Sequence, residues 1–277
     1  MPVVSFWNPV ETSQASTTSS IAAVATMLPA KCKYRTLITQ THYSDFSLES
    51  AFFNMDKLGN KGALDIADTG VDALDRLLRS NKLSPESIPN YAKPIYKGER
   101  LELLYGTFKN DLDSYSRILE TFPIIVDYAS QFYDIVFIDL NKGSSNQEIM
   151  KILQKSDLIV LTMSQSMINL KKTFKAMDTL KILQEKPIIP VIGKYDRFSD
   201  FSDMNIKRVF NYKKGRLYTI PYNTKFFDAC NKGELRSFIA TNINADPALD
   251  RNGFFINETG KLVDAILSNL SSKLIDR

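Results

Sequence analysis

Residues 8–18 occupy the position of a phosphate-binding loop but lack the side chains with which such a loop binds phosphate. The apolar run of residues 2–7 comes before them, and residues 17–28 predict a helix with small and apolar residues on one face. A loop in this strand–loop–helix setting needs glycines, so that its backbone can wrap the phosphates, and a lysine that reaches their charge. Between residues 8 and 18 the chain has neither a glycine nor a lysine. We therefore expect nucleotide chemistry at this position to be weakened.

A carboxylate at the end of an apolar run is the second chemical signal. Asp139 follows residues 134–138, which are largely apolar and predict a buried strand. In nucleotide sites, an acid at the end of such a strand works on the magnesium shell. An aspartate at a strand end can equally cap a loop, so both interpretations remain open at this point.

Composition argues against several other classes of protein. The 277 residues carry a net charge of +4 and are 44% hydrophobic, as in an ordinary globular protein. His42 is the only histidine, which excludes multi-histidine metal sites and argues against a Ser-His-Asp triad. The two cysteines are far apart in sequence and favour a reducing compartment over a disulfide framework. No apolar run approaches the roughly 20 residues of a membrane span, so we expect a cytoplasmic protein without membrane contact.

The elements that must position these residues alternate between strand and helix. Strands that alternate with helices predict an α/β fold with a doubly wound, mostly parallel sheet flanked by helices. No linker divides the chain, so we expect one domain over residues 1–277, with residues 82–97 as an irregular excursion that contains three prolines. The predicted strands are residues 3–7, 34–39, 101–105, 134–139, 158–162, 188–192 and 217–220. The predicted helices are residues 17–28, 71–80, 112–131, 147–154, 167–183, 204–210 and 258–274.

Over nearly its full length, the chain resembles the ParA/MinD family of deviant-Walker P-loop ATPases, which belong to the SIMIBI class. The resemblance is most specific in the tail, where residues 220–223 (Ile-Pro-Tyr-Asn) and 227–234 match an Ile-Pro-Tyr element and the turn after it. The family's phosphate loop falls on residues 11–18, its switch I on 40–42 and 47–49, and its base-contacting segment on 193–197. The resemblance implies a degenerate nucleotide site formed by Glu11, Ser13, Gln14, Ala15, Ser16, Thr17, Thr18, Gln40, His42, Gly193, Pro221 and Tyr222. It also implies a magnesium contact through Thr17 and Asp139.

The departures from the family pattern concern charge. Glu11 stands where the family has the lysine that reaches the partner subunit's nucleotide, and Ser16 stands where it has the lysine that neutralises the β- and γ-phosphates. Gln40 and His42 replace both switch acids, and Gly193 replaces the asparagine that reads adenine. Each lost lysine contact removes about 1.5–3 kcal/mol. Together the losses weaken affinity by roughly two to four powers of ten. We expect binding of ATP and magnesium to be weak or absent, and hydrolysis to be absent or vestigial.

Two functional hypotheses from different classes follow. The first is a non-catalytic scaffold or adaptor that positions a DNA element or a polar or secretion machine in a bacterial cell. The resemblance then implies a homodimer and a protein partner from a partitioning, conjugation or pilus/secretion system. The second is an active ATPase of the same family with an unconventional phosphate loop, whose missing cation comes from Lys142 or Lys194.

Two surface features bear on partners. Basic clusters predict contact with a phosphate backbone without sequence preference, although a solvated face would have the same composition. The candidates are Lys171, Lys172, Lys175, Lys207, Arg208, Lys213, Lys214 and Arg216. The helix of residues 258–274 has one apolar face and mixed charges on the other, so we expect it to dock on the core rather than on a membrane.

Overall fold

The computed structural model describes residues 1–43, 47–54, 69–96, 98 and 100–274. Within these ranges the chain forms one eight-stranded sheet with the strand order β3-β4-β2-β5-β1-β6-β7-β8. Neighbouring strands are parallel, except for the antiparallel pair β3 and β4. The strands are β1 (Val3–Trp7), β2 (Thr36–Gln40), β3 (Lys93–Pro94), β4 (Leu101–Leu103), β5 (Ile135–Asp139), β6 (Leu158–Met163), β7 (Ile188–Tyr195) and β8 (Tyr218–Pro221).

Helices cover both faces of the sheet, because the central strands carry apolar side chains on both sides. In β1, Val3 and Trp7 pack into one core, while Val4 and Phe6 pack into the other. The helices are α1 (Thr17–Met27), α2 (Ser47–Phe52), α3 (Gly70–Arg79), α4 (Leu112–Phe132), α5 (Gln147–Lys155), α6 (Met167–Thr179), α7 (Lys181–Glu185), α8 (Asp203–Val209), α9 (Thr224–Lys232), α10 (Leu235–Asn242) and α11 (Arg251–Leu274). Short 3-10 helices lie at Ser13–Ala15, Leu28–Ala30 and Pro85–Tyr91.

The predicted fold class and the predicted strands are confirmed, with boundaries that move by at most three residues. Two helix predictions need correction, and three helices were not predicted. The predicted helix of residues 167–183 is two helices, because Leu180 is extended with φ −84° and ψ 115°. The last helix begins at Arg251 rather than at residue 258, and α2, α9 and α10 were not predicted. Residues 82–97 are less irregular than expected, since they contain a 3-10 helix and the edge strand β3; Lys97 lies outside the described residues.

The last helix docks on the core, as its apolar face predicts. Its inner side chains, which include Leu262, Val263 and Ile266, are fully buried in the core that also contains Val4 and Phe6. Two ion pairs fasten its polar side, Lys31 with Asp264 and Lys273 with Asp157. Among the residues that the structure describes, none of the helices combines the length and the apolar character that a membrane crossing requires.

Two buried carboxylates hold the segment that leaves β4. Glu49 of α2 accepts a hydrogen bond from the Gly106 backbone N–H at 2.9 Å and another from the Gln40 amide. Asp72 of α3 accepts from the Thr107 hydroxyl at 2.7 Å and from the Phe108 backbone N–H at 2.9 Å. These contacts join α2, α3 and the end of β2 to one short segment. They therefore determine how the switch-like residues 47–49 sit against the sheet.

Burial raises the pKa of Glu49 to about 7, against an ordinary value of 4.5, although its hydrogen bonds act in the opposite direction. Between these pH values the folded chain binds a proton that the unfolded chain has released. The contribution of Glu49 to the free energy of unfolding therefore falls as pH rises through this window, by roughly 3 kcal/mol, and is constant above it.

We predict that Glu49→Gln removes this part of the pH dependence, because an amide does not titrate. The measurement is urea unfolding of both proteins at pH 5 and pH 8. The control is Glu185→Gln on α7, which removes an exposed carboxylate that pairs with Lys181. This variant should keep the wild-type dependence of the unfolding free energy on pH. A Glu49→Gln protein that keeps the full wild-type slope contradicts the assignment.

Candidate functional site

A cleft of about 460 Å³ lies at the carboxyl ends of β2, β5 and β7, beside the start of α1. This is the edge at which parallel α/β sheets bind ligands. Hydroxyl groups from Ser16 to Ser19 form one wall, and residues of α2 and α9 form the opposite walls. Lys142 and Lys194 contribute positive charge to the lining. The cleft thus combines a helix N-terminus, hydroxyl groups and two lysines.

The loop between β1 and α1 satisfies its own backbone donors. The Val10 N–H donates to the Asn8 side chain at 3.0 Å, and the Thr12 N–H donates to the Val10 carbonyl at 2.7 Å. The Gln14 N–H donates to the Thr12 hydroxyl at 3.2 Å, which caps the 3-10 helix Ser13–Ala15. In a phosphate-binding loop such N–H groups point at the ligand. Here these three groups are engaged within the loop.

Ser16 joins the 3-10 helix to α1 in a left-handed conformation, with φ 58° and ψ 40°. Its hydroxyl does not cap α1, and its carbonyl accepts hydrogen bonds from the side chains of Ser19 and Ser20. The first N–H groups of a helix have no intrahelical acceptor, and they favour an anion. The N-terminus of α1 is therefore the anion-binding feature that the loop retains.

Two side chains of the loop, Glu11 and Gln14, lie outside the cleft lining. Glu11 lies against Gly143, and its carboxylate accepts a hydrogen bond from the Ser145 hydroxyl at 3.3 Å. The side-chain oxygen of Gln14 accepts a hydrogen bond from the side-chain amide of Asn169 on α6 at 2.8 Å. Ala15 is buried, while the side chain of Ser13 lies outside the described residues. Neither Glu11 nor Gln14 lines the cleft, so the expected site is only partly assembled.

Gly193 has a structural role in this site. A Cβ atom at this position would lie 2.3 Å from the Ala15 carbonyl oxygen, closer than atoms can approach. Glycine therefore permits the 3-10 helix to pack on β7. Because the base-contacting position carries no side chain, any base recognition must come from neighbouring residues.

Pro221 and Tyr222 do not line the main cleft. They line a second cavity of about 430 Å³, together with Arg197 and Phe254. Lys194 lines both cavities, with its backbone in a left-handed conformation and its Nζ 5.2 Å from the centre of the Phe227 ring. The residues predicted to bind one nucleotide are thus divided between two adjacent cavities that meet at Lys194.

Asp139 lies beneath the cleft, with its side chain fully buried. The His42 Nε2 lies 3.2 Å from its carboxylate. The ends of β2 and β5 hold this pair together, since the Thr41 N–H donates to the Asp139 carbonyl and the Asn141 N–H donates to the Thr41 hydroxyl. Gln40 is buried with Glu49 rather than exposed to the cleft.

Sequence reasoning missed the walls that α2 and α9 provide. The lining includes Ser47, Ser50 and Ala51 of α2 and Phe227, Cys230 and Asn231 of the neighbouring helix α9. A cap signal could have revealed α9, because the Asn223 side chain accepts from the Phe226 N–H and begins the helix.

The predicted basic residues form one cluster and several outliers. Lys171 and Lys175 of α6 face Lys213 and Lys214 across a pocket of about 280 Å³, which also contains Phe174, Phe210 and Tyr212. Arg216 does not belong to this cluster, because its guanidinium lies 3.6 Å from Glu258 and over the Tyr218 ring. Lys172, Lys207 and Arg208 do not line the pocket either.

Comparison with solved structures supports the architecture. No protein-family model and no curated protein sequence matches the chain. Among solved structures, the ParA family ATPase from Chlorobium tepidum superposes with a TM-score of 0.69 at 14% identity, covering 95% of this chain and 97% of that chain. The septum site-determining protein MinD with Mg-ADP from Pyrococcus horikoshii gives 0.67 at 14% identity, covering 96% and 95%. A plasmid partition protein from Borrelia burgdorferi gives 0.55 at 15% identity, covering 87% and 98%.

The chain has the fold of the ParA/MinD ATPases. At 14–15% identity this likeness concerns the backbone alone. The side chains of the cleft at the start of α1 differ from those that the family resemblance calls for. Function must therefore be argued from the side chains of this chain.

We predict that Gly193→Ala destabilises the protein by roughly 1–3 kcal/mol, because the new methyl group meets the Ala15 carbonyl and β7 cannot move away. Chemical denaturation measures the effect. The matched control is Gly260→Ala in α11, where the nearest atoms to a Cβ lie 3.8 Å away. Alanine in that helix should be neutral or stabilising by up to about 1 kcal/mol. A Gly193→Ala protein as stable as wild type would refute the packing role.

Proposed function

We propose that this protein is a non-catalytic scaffold or adaptor with the ParA/MinD fold. It binds nucleotide weakly and positions a DNA element or a polar or secretion machine. The observation that carries the proposal is the loop between β1 and α1, whose Val10, Thr12 and Gln14 N–H groups are satisfied inside the loop. A triphosphate would have to displace these bonds before it gained hydrogen bonds from the same three N–H groups.

Charge supports the same conclusion. A triphosphate needs fixed positive groups where its negative charge develops during transfer. Position 11 has a carboxylate and position 16 a hydroxyl. The lining does include Lys142 and Lys194, and the N-terminus of α1 attracts an anion. These groups suit weak binding of a phosphorylated ligand more than they suit catalysis.

The alternative function is an active ATPase with an unconventional loop. One observation favours it, namely that the two lysines considered as substitutes both line the cleft. In this alternative, Lys142 or Lys194 would supply the charge that position 16 lacks. The two functions differ in turnover, which makes them separable by experiment.

We predict that titration with ATP and magnesium gives no saturable binding in the micromolar range. We also predict that phosphate release does not exceed the protein-free rate, with or without DNA. Calorimetry and a colorimetric phosphate assay are the measurements.

The variants Lys142→Ala and Lys194→Ala separate the two functions, with Lys181→Ala on the exposed face of α7 as the control. Under our proposal none of them changes the background rate. Micromolar affinity together with turnover that Lys142→Ala or Lys194→Ala abolishes would establish the alternative.

Solved structures with similar backbones indicate which kinds of partner a scaffold of this fold would bind. MinD from Aquifex aeolicus is found in a complex with MinC. The Borrelia burgdorferi neighbour is a plasmid partition protein. We therefore propose a protein partner from a partitioning, conjugation or pilus/secretion system, and a homodimer as the working form.

Non-specific contact with DNA is a second proposed activity. Four lysines of the cluster, Lys171, Lys175, Lys213 and Lys214, surround one pocket, and Asp178 is the only carboxylate in its described lining. None of the four forms an ion pair with another described residue. Their ammonium groups are therefore available to a phosphate backbone.

We predict that filter binding to duplex DNA weakens steeply with salt, as counterion release requires. Lys175→Ala and Lys213→Ala should each lower affinity for every sequence and reduce the salt slope by about one. Lys181→Ala, which removes an exposed lysine outside the cluster, should have no effect. Binding that is insensitive to salt, or unchanged in both cluster variants, contradicts this proposal.

A further inference from the structure

We infer that His42 takes the place of a divalent metal ion beside Asp139, and that the cleft therefore receives a phosphorylated ligand without a metal. The inference deepens the proposed function and rests on its weak binding of such a ligand. It assigns a role to His42, which is the chain's one histidine and lines the cleft.

A magnesium site of the kind expected here needs two oxygen ligands from the protein. One is the hydroxyl at the start of the helix after the loop, and the other is the acid at the strand end. Thr17 and Asp139 occupy these positions. The test of fit is whether the structure leaves both oxygens open to the same cavity.

Asp139 is not open to the cleft. Its side chain is fully buried, and it does not belong to the cleft lining. Neither carboxylate oxygen has a hydrogen-bond donor among the described residues. A buried acid in this state requires a cation or a polar partner nearby. His42 meets that requirement, since its Nε2 lies 3.2 Å from Oδ2.

Thr17 lines the cleft that Asp139 does not reach, and its hydroxyl also bonds to the sheet. It shares a hydrogen bond of 2.8 Å with the Thr162 hydroxyl on β6. Thr162 in turn donates to the Trp7 carbonyl at 3.2 Å, so Thr17 must be the donor in the first bond. The two expected metal ligands therefore point to different surroundings, and the residues present do not fit magnesium.

The positions around this pair give no replacement ligand. Gln40 is buried in contact with Glu49, and Glu11 is turned toward Ser145 outside the cleft lining. The described lining includes Lys142 and Lys194 and contains no carboxylate. Such a lining complements the charge of a free phosphate group, whereas it repels a hydrated divalent cation.

The experiment on the metal uses Mn²⁺ alone as the probe, with free Mn²⁺ measured by electron paramagnetic resonance. We expect the wild-type protein to leave the signal of one equivalent of Mn²⁺ unchanged. His42→Asp should bind one equivalent, because it removes the imidazole and adds a carboxylate beside Asp139. The double variant His42→Asp/Asp139→Asn should lose that binding.

A second variant, His42→Ala, tests the same role of His42 if His42→Asp does not fold. In His42→Ala, the Asp139 carboxylate loses its neighbouring imidazole, so Mn²⁺ should raise the Tm of this variant and leave the wild-type Tm unchanged. Asp264→Asn, which removes an exposed acid paired with Lys31, serves as the surface control. Saturable binding of Mn²⁺ by the wild-type protein that Asp139→Asn abolishes would overturn the role of His42.

The experiment on the ligand compares ATP binding in magnesium with binding in EDTA, by calorimetry at millimolar ATP. We expect the affinities to agree within about threefold. Binding that is tenfold tighter in magnesium overturns the inference but leaves weak nucleotide binding intact. An absence of binding in both conditions removes the nucleotide from the proposed function and overturns the part of the inference that concerns the ligand.

Discussion

Backbone N–H groups near the carboxyl end of β1 impose the main constraint on this structure. Donors that are withdrawn from water must find acceptors, and a phosphate-binding loop normally reserves them for its ligand. In this chain Asn8, Val10 and Thr12 supply the acceptors. These three donors of the loop are therefore satisfied within the loop, which can pack closely on the sheet.

That packing links the loop to the rest of the fold. The 3-10 helix of the loop rests on β7, because Gly193 has no side chain to meet the Ala15 carbonyl. Trp7 lies fully buried at the end of β1 and donates its indole N–H to the Gly143 carbonyl. The loops after β1 and β5 are thus fastened to each other. A cleft remains between them, but its shape depends on protein contacts rather than on a bound phosphate.

The buried acids near the cleft differ in the protein groups that they contact. Glu49 and Asp72 accept hydrogen bonds from the segment after β4, whereas Asp139 has the His42 imidazole at 3.2 Å. Burial without such neighbours would be costly for each carboxylate. Hydrogen bonds within the protein therefore satisfy two of these three acids, Glu49 and Asp72. This agrees with a scaffold whose conformation does not depend on a nucleotide.

The sequence by itself determined the alternation of strands and helices, the doubly wound sheet and the loss of the loop lysines, since these follow from local apolar patterns and residue types. It also named some of the cleft residues, namely Ser16, Thr17, Thr18, His42, Lys142 and Lys194, because the carboxyl ends of parallel strands must meet at one edge. Only the tertiary structure decided that Pro221 and Tyr222 line a separate cavity and that Arg216 forms an ion pair with Glu258. The tertiary structure likewise decided that His42 faces Asp139. These facts depend on contacts between residues far apart in sequence, and no local pattern records the direction in which a side chain turns after its strand has ended.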